Sequence, residues 1–405
     1  MKKRSNGEGT IYAQKEGNKI IRWIGQITVN GKRKSVYGKT QKEVKDKLKQ
    51  IQSNIYNHKY CEKSYVTFYQ LGTELIEKKL NANIIKEVTY LRNLETLNIC
   101  KSLWYYEIQD ITPTILQDFL NSLTNYSQST IDKTYMIIGQ ILKEAIAQKI
   151  IYENPLNRVI KPKSIKKSKV VDAFTIEEQK EIINALEGET YKNVFLIGFN
   201  TGMRIGEILA LTIDDIDFKN MVIRINKTST LNKDKKRVIG ESTKTYTSTR
   251  EIPITTPLKS VLRETISNYT WNKNRLLFTL PNGNIIENST INAQLKRICK
   301  NLGIRTRKKI IIRENKKINS YTSDVNTHMI RHTYATRCIE SGMPAVVLQK
   351  LLGHKDVSVT LNTYTSILNK FKEDELQKLK DYYSNNITLN SQTEEKKDNA
   401  FKNSL

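Results

Sequence analysis

Between residues 152 and 174 the sequence reads YENPLNRVIKPKSIKKSKVVDAF, and no regular helix or strand pattern runs through it. Two prolines interrupt it, and KPKSIKKSK, residues 161–169, places five lysines in nine positions. Proline fixes φ and removes a backbone donor, and a dense run of like charge extends itself. Residues 161–171 therefore read as a basic interdomain linker that ends one folding unit and begins another. A solvated surface loop has the same composition, while a linker of this charge can also follow a nucleic-acid duplex.

The patterns on either side differ in kind. Residues 62–160 space their apolar positions by three and four in TFYQLGTELIEKKL, IIKEVTYLRNLETLNICKSL, TPTILQDFLNSL and SQSTIDKTYMIIGQILKEAIAQKII, which predicts an all-helical domain. Ahead of it, residues 1–60 carry GTIYAQ, IIRWIGQITV and RKSVYGK, β-branched and aromatic runs parted by KEGNK and the Asn-Gly turn signal NGK. A helix follows there, with Thr40 as N-cap and Val44, Leu48, Ile51 and Ile55 on one face. Residues 172–385 are mixed. TIEEQKEIINAL, with a capping box from Thr175 to Glu178, and YKNVFLIGFNTGMRIGEILAL read as helices, as do STINAQLKRICKNLG and THMIRHTYATRCIESG. DFKNMVIRIN and TREIPIT read as strands around a long polar hairpin region, and RTRKKIIIRENKK as an exposed basic insertion. Residues 386–405 have no apolar period and are expected to form a flexible tail. The fold class is thus multidomain α+β, with a small sheet-plus-helix unit, an all-α unit and a mixed, mainly α unit.

Charge narrows the partners. Lys+Arg number 67 against 41 Asp+Glu, a formal charge of +26, and the first 60 residues alone hold 15 basic and 4 acidic side chains. Such a field favours a polyanion, although a generally Lys-rich composition gives part of the same excess. A small β-sheet can enter a DNA major groove. The candidate DNA contacts are Arg22, Lys32, Arg33 and Lys34 on the strands, with Lys161, Lys163, Lys166 and Lys167 in the linker. The longest apolar run, VFLIGF at 194–199, is far short of the ~20 residues that span a bilayer. The basic start has no apolar segment behind it, and no amphipathic anchor supports binding to a membrane surface. Cys61, Cys100, Cys299 and Cys338 form no C-x-x-C pair and read as reduced thiols of a cytoplasmic protein.

Three of the four histidines, His328, His332 and His354, fall within 27 residues. On a helix His328, Arg331 and His332 share one face. Zinc proteases use the same H-x-x-x-H spacing, but Met329 stands where their glutamate belongs, no third ligand follows, and an arginine between the histidines repels a dication. No metal is expected. An arginine beside a histidine suits a phosphate instead: guanidinium forks onto two oxygens and imidazole moves a proton near neutral pH. Arg204, between Gly202 and Gly206, is a candidate second arginine, since two glycines in an apolar helix cost stability and point to close approach of a backbone or ligand. A surface arginine paired with Glu207 at i+3 accounts for the same residues. Tyr364, ten residues beyond His354, is the candidate nucleophile.

TGMRIGEILAL, TKTYTSTREIPI, HMIRHTYATRCIESGM and LLGHKDVSVTLNTY, in that order, resemble the boxes of the tyrosine recombinases, the phage-type integrases, and GEGTIYAQ with RWIGQITVNGKRKSVYGKTQKEVKDKL resembles the amino-terminal unit of conjugative-transposon and phage integrases. The resemblance spans essentially the whole chain. It implies an AP2-like arm-site DNA-binding domain at 1–60, a SAM-like core-binding domain at 62–160 and a catalytic domain at 172–385. It implies that Arg204 and Arg331 clamp the phosphate, Lys244 protonates the leaving 5′-oxygen, His328 takes the tyrosine proton, His354 hydrogen-bonds the phosphate and Tyr364 attacks. Glu207 and His332 support them. The same stretch offers Lys227, Lys233, Lys235 and Lys236 as other lysines. The implied function is integration and excision of a mobile element through a 3′-phosphotyrosine and a Holliday junction, without cofactors. The implied partners are double-stranded DNA at core and arm sites, three further copies of the chain in a tetramer, an excisionase and a host DNA-bending protein, in a bacterial, nucleoid-associated setting. The helical segment NKFKEDELQKLKDYY after Tyr364 is expected to dock on a neighbouring subunit. A non-catalytic DNA-binding regulator and a type IB topoisomerase stand as alternatives, disfavoured respectively by the filled set of six residues and by the amino-terminal unit with the LGH box.

Overall fold

A computed structural model describes residues 9–29, 31–57, 59–166, 173–241, 249–313, 316–353 and 376–384. The chain divides into two compact units, Met1–Ser168 and Lys169–Leu405.

The first unit opens with an antiparallel sheet in the order β1 (Thr10–Glu16), β2 (Lys19–Val29), β3 (Lys32–Gly38). Val29 pairs with Lys32, so the predicted Asn-Gly position closes the β2–β3 hairpin, with Gly31 at φ 78°. Helix α1 (Gln41–Tyr56) starts where Thr40 accepts the Glu43 amide on its side chain and packs Val44 and Leu48 against Ile27 and Val29. It lies close to the sheet because β2 has no side chain at Gly25: a Cβ there would meet Val44 Cγ1 at 2.6 Å and Leu48 Cδ1 at 2.9 Å. The expected apolar face is shorter than predicted, for Ile51 is only partly buried and Ile55 is exposed at the helix end.

The helical stretch follows as α2 (Phe68–Asn81), α3 (Glu87–Ile99), α4 (Pro113–Ser122) and α5 (Gln128–Ala147). Thr67, Thr112 and Ser127 cap three of them, each accepting an amide from the first turn. Their three- and four-spaced apolar residues meet in one core that includes Phe68, Leu71, Leu97, Leu116, Leu120, Ile131, Ile138 and Ile141. The first part of the basic segment is tied to this body. Ile165 donates to Thr124 O, Ser164 donates its amide to Gln128 Oε1, and Lys161 pairs with Asp132 at 2.7 Å.

In the second unit, α6 (Ile176–Ala185) begins at the predicted Thr175–Glu178 capping box. The long apolar segment after it is two helices, not one. Helix α7 (Lys192–Thr201) stops at Gly202, which is left-handed at φ 62°, and the short α8 (Ile205–Ile208) restarts after Arg204. A side chain at Gly202 would also strike the Tyr334 ring at 2.3 Å. Strands β4 (Ile216–Asp217), β5 (Val222–Ile225) and β8 (Arg250–Pro253) form an antiparallel sheet in the order β4-β5-β8. The polar hairpin region contains a paired β6 (Lys227–Leu231) and β7 (Arg237–Glu241). The basic insertion is likewise a two-stranded sheet of β9 (Thr306–Arg313) and β10 (Lys316–Ser323). Helices α9 (Thr256–Ser267), α10 (Asn288–Asn301), α11 (Thr327–Glu340) and α12 (Ala345–Leu352) complete the unit, and residues 376–384 form a further helix, α13. One core joins α7, β5, β8, α9, α10 and α11 through Phe195, Phe199, Ile223, Ile252, Leu258, Leu295 and Ile330. Packing of α7 on α11 at Gly198, where a Cβ would lie 3.1 Å from Ile330, brings the break at Gly202 beside the histidine helix.

Candidate active site

The break between α7 and α8 and the first turns of α11 line one cleft of about 250 Å³. Arg204, His328 and Arg331 face it, with Thr228, Ser229, Asn288 and Thr327 on the remaining wall. Of the two approaches that the glycines beside Arg204 suggest, backbone or ligand, Gly206 meets a backbone. At Gly206 a Cβ would meet Thr228 Oγ1 at 2.8 Å and Ser229 O at 3.0 Å. The close approach there is the protein's own β6.

The two arginines are held in different ways. Arg204 keeps 44% of its side chain exposed and donates Nη1 to Glu207 Oε1 at 2.9 Å, while its backbone amide donates to Glu207 Oε2 at 2.9 Å. The i+3 pairing and the cleft position therefore coexist. Arg331 is buried, 3% exposed, and donates Nη1 to Gly202 O at 2.9 Å and Nη2 to Leu352 O at 2.6 Å. Those two carbonyls belong to the α7 break and the end of α12, so Arg331 ties three segments together.

Glu207 is 4% exposed. Burial raises the pKa of its carboxyl, but the hydrogen bonds and charge of Arg250, with Arg204 behind them, outweigh that and bring it down to about 2. It is an anion throughout the neutral range. Arg250 was not identified from the sequence. It donates Nη1 and Nη2 to the two Glu207 oxygens at 3.1 and 2.7 Å and Nε to Leu351 O at 2.6 Å. Its signal was visible but unread: it is the arginine of STREIPI, at the start of a strand whose other positions alternate toward the core.

His328 starts α11, its amide donating to the Asn326 cap at 2.9 Å. Its ring meets that of His332 edge to face, centroids 4.6 Å apart at 90°. His328 remains an exposed residue; even so, desolvation of its packed side, followed by His332, Arg331 and Arg204, lowers its pKa to about 4. His332 is half-buried, and burial with the Arg331 charge lowers its pKa too. Both rings are therefore neutral near pH 7, and a neutral imidazole accepts a proton.

Lys244, His354 and Tyr364 lie outside the described residues, as does Lys167. Of the other lysines in that stretch, Lys227 is engaged with Asp215 at 2.7 Å and Thr212 at 3.1 Å. Lys233, Lys235 and Lys236 are exposed at the β6–β7 turn. The basic positions of the first unit also separate. Arg22 and Arg33 share the sheet face away from α1 with Tyr12 and Tyr37, and Arg22 stacks 4.6 Å over Tyr37 while donating to Gln14. Lys32 and Lys34 sit on the opposite face by register, and Lys34 reaches Glu62 at 3.2 Å. Lys163 and Lys166 are exposed. Among the described residues no His, Cys, Asp or Glu group could hold a metal, and no helix is long and apolar enough to cross a membrane.

Comparison with known proteins places this geometry in context. The model of the phage integrase family matches residues 172–371. An integrase of Staphylococcus phage L54a is 30% identical over 370 residues, covering 81% of this chain and 97% of the relative. A XerC-like tyrosine recombinase of Caldanaerobacter subterraneus subsp. tengcongensis is 29% identical over 389 residues, covering 87% and 93%. Among solved structures, the Tn1549 transposon integrase in complex with a circular intermediate DNA superposes with a TM-score of 0.60 at 21% identity, covering 76% of this chain and 99% of that one. A lambda integrase dimer bound to a core site gives 0.53 at 17% identity, covering 89% and 96%. At those identities the structural likeness concerns the fold.

Proposed function

The chain belongs to the phage integrase family of tyrosine recombinases, and from that premise we propose that it cuts and rejoins duplex DNA through Tyr364 to move a mobile element into and out of a chromosome. The observation that supports this most is the convergence on one cleft of two arginines, Arg204 and Arg331, with a neutral histidine, His328. Attack on a phosphodiester concentrates charge on the non-bridging oxygens, and fixed guanidinium donors stabilise it. The outer clamp is Arg204, exposed yet braced by Glu207. The inner one is Arg331, whose head is fixed by two carbonyls.

In the proposed step the Tyr364 hydroxyl oxygen forms a bond to phosphorus while the bond from phosphorus to the 5′-oxygen breaks. His328 receives the phenolic proton and Lys244 delivers one to the departing oxygen. His354 adds a hydrogen bond to the phosphate. The products are a 3′-phosphotyrosine and a free 5′-hydroxyl, and because a phosphoester replaces a phosphoester the energy needed for religation is retained. A 5′-hydroxyl from a partner duplex then reverses the step, giving a Holliday junction, and the second strand pair repeats it. The amino-terminal sheet, with Arg22 and Arg33 on its open face, would read arm sites, and Lys163 and Lys166 would follow the duplex backbone between the units. Four copies would assemble on two sites, with α13 and its exposed Leu376 and Leu379 as the segment offered to a neighbouring copy. A small excisionase and a host DNA-bending protein would set direction, in the bacterial cytoplasm at the nucleoid.

A nicked suicide duplex carrying the element's end, mixed with the protein in EDTA and run on a denaturing gel, tests the reading. A covalent protein–DNA band that is lost in Tyr364→Phe is expected. No band on a duplex that the protein binds would favour a DNA-binding regulator.

A further inference from the structure

Arg250 is buried, its side chain 6% exposed, and opens β8 six positions beyond Lys244 in the chain. Its guanidinium joins two parts of the cleft that are remote in sequence. Two of its nitrogens hold both oxygens of Glu207, which in turn holds Arg204 by side chain and backbone. The third holds the carbonyl of Leu351 in the last turn of α12. That helix ends at Gly353, left-handed at φ 65°, directly ahead of His354. A Cβ on Gly353 would lie 3.1 Å from Arg250 Nη1, so the turn and the guanidinium are packed head to head. Arg331 grips the adjacent carbonyl, that of Leu352. Two arginines thus hold neighbouring carbonyls of the turn from which His354 departs.

Stability alone is a weak reason for such an arrangement. Burying an ion pair costs desolvation that its attraction roughly offsets, whereas a bidentate guanidinium fixes distance and direction. Phosphoryl transfer needs just that fixity, since small displacements of donors cost large factors in rate. We propose that Arg250 is a positioning residue for strand cleavage: it sets the distance between the outer clamp, Arg204, and the turn that anchors Arg331 and leads into His354. A lysine keeps the charge, but its donors sit on one compact nitrogen without the planar fork and cannot reach both Glu207 oxygens and the Leu351 carbonyl together.

The inference rests on the recombinase reading, and the test separates the two. Single-turnover cleavage of the suicide duplex is timed for the wild type, Arg250→Lys and the neutral pair Glu207→Gln with Arg250→Gln. Each is tested on an ordinary phosphodiester and on a methylphosphonate at the cut position. The neutral linkage lacks the charge that the two clamps share, so their misplacement matters less there. Arg250→Lys is expected to cleave the phosphodiester roughly 30- to 100-fold more slowly at saturating DNA. Its half-saturating DNA concentration should stay within about threefold of wild type, and its loss on the methylphosphonate should be under about fivefold. The neutral pair should show the same pattern. The split between rate and half-saturation decides the matter where the neutral linkage reacts too slowly to time. Wild-type rates in both variants, equal losses on both linkages, or failure of both variants to fold would overturn the proposal, each making Arg250 a structural element at most. A wild type that forms no covalent complex would overturn the recombinase reading instead.

Discussion

The helical stretch at 62–160 and the body at 173–353 bury very different things. In the first, the only buried polar residue among those described is Thr134, and the interior is Leu, Ile and Phe. In the second, Glu207, Asp215, Arg250 and Arg331 are each at least nine-tenths buried. Burying a charge is costly unless it is paired and hydrogen-bonded, and a domain can be folded without doing so, as the helical stretch shows. Glu207, Arg250 and Arg331 cluster where the α7–α8 break, the start of β8 and the end of α12 meet, while Asp215 is held separately by Thr212 and Lys227. One region is organised by apolar periodicity and the other also by a network that holds donors in place.

The largest effect is expected at Arg331. Arg331→Ala removes a clamp and leaves the carbonyls of Gly202 and Leu352 without its donors. Strand cleavage timed in single turnover should fall by about 10³-fold or more, and a loss under tenfold would mean that the buried charge serves folding rather than chemistry. The helical stretch should behave in the opposite way. Ile138→Ala is expected to cost about 2–5 kcal/mol in denaturant unfolding, with the cleavage rate of the folded fraction within twofold of wild type. Acid sharpens the contrast within the second body. The Glu207 pKa is depressed from 4.5 to about 2, so its contribution to stability is complete above pH 4.5 and is lost as pH falls toward 2. His328, depressed from 6.5 to about 4, likewise favours the folded state fully above pH 6.5 and progressively less down to pH 4. Glu207→Gln should therefore flatten the steepest part of the acid-unfolding curve, monitored by circular dichroism between pH 5 and 2.5. The smallest effect is expected on the open face of the sheet. Arg33→Gln should lower the slope of log affinity for arm-site DNA against log salt by about one and leave core-site cleavage unchanged; an unaltered slope would remove Arg33 from the interface.

The helical stretch was almost fully legible, because capping residues such as Thr67, Thr112 and Ser127 and the spacing of Leu and Ile act locally. The β2–β3 hairpin, with Gly31 in its turn, was legible for the same reason. The apolar pattern continues across Gly202 and predicts one helix, whereas that glycine ends α7 in a left-handed cap with the Tyr334 ring packed against it. In the sequence β6–β7 and β9–β10 stand out only as polar or basic stretches, because strands whose partners are each other carry little apolar alternation. At the site, the Arg204, His328 and Arg331 boxes could be read from composition and spacing, and the structure brings them to one cleft. Arg250 has a visible place at the head of the STREIPI strand, but its role is not legible there, for its partners, Glu207 and Leu351, lie 43 and 101 residues away. Long-range ties of that kind leave no periodic trace in the chain.

On the recombinase reading this cleft activates one tyrosine against a phosphodiester. Digesting the covalent complex formed on the suicide duplex and locating the nucleotide-bearing peptide by mass spectrometry tests it most directly. A phosphodiester-linked nucleotide on Tyr364, in the peptide that follows LLGHK, is expected. A nucleotide on any other residue, or a cleaved strand with no attached peptide, would contradict it.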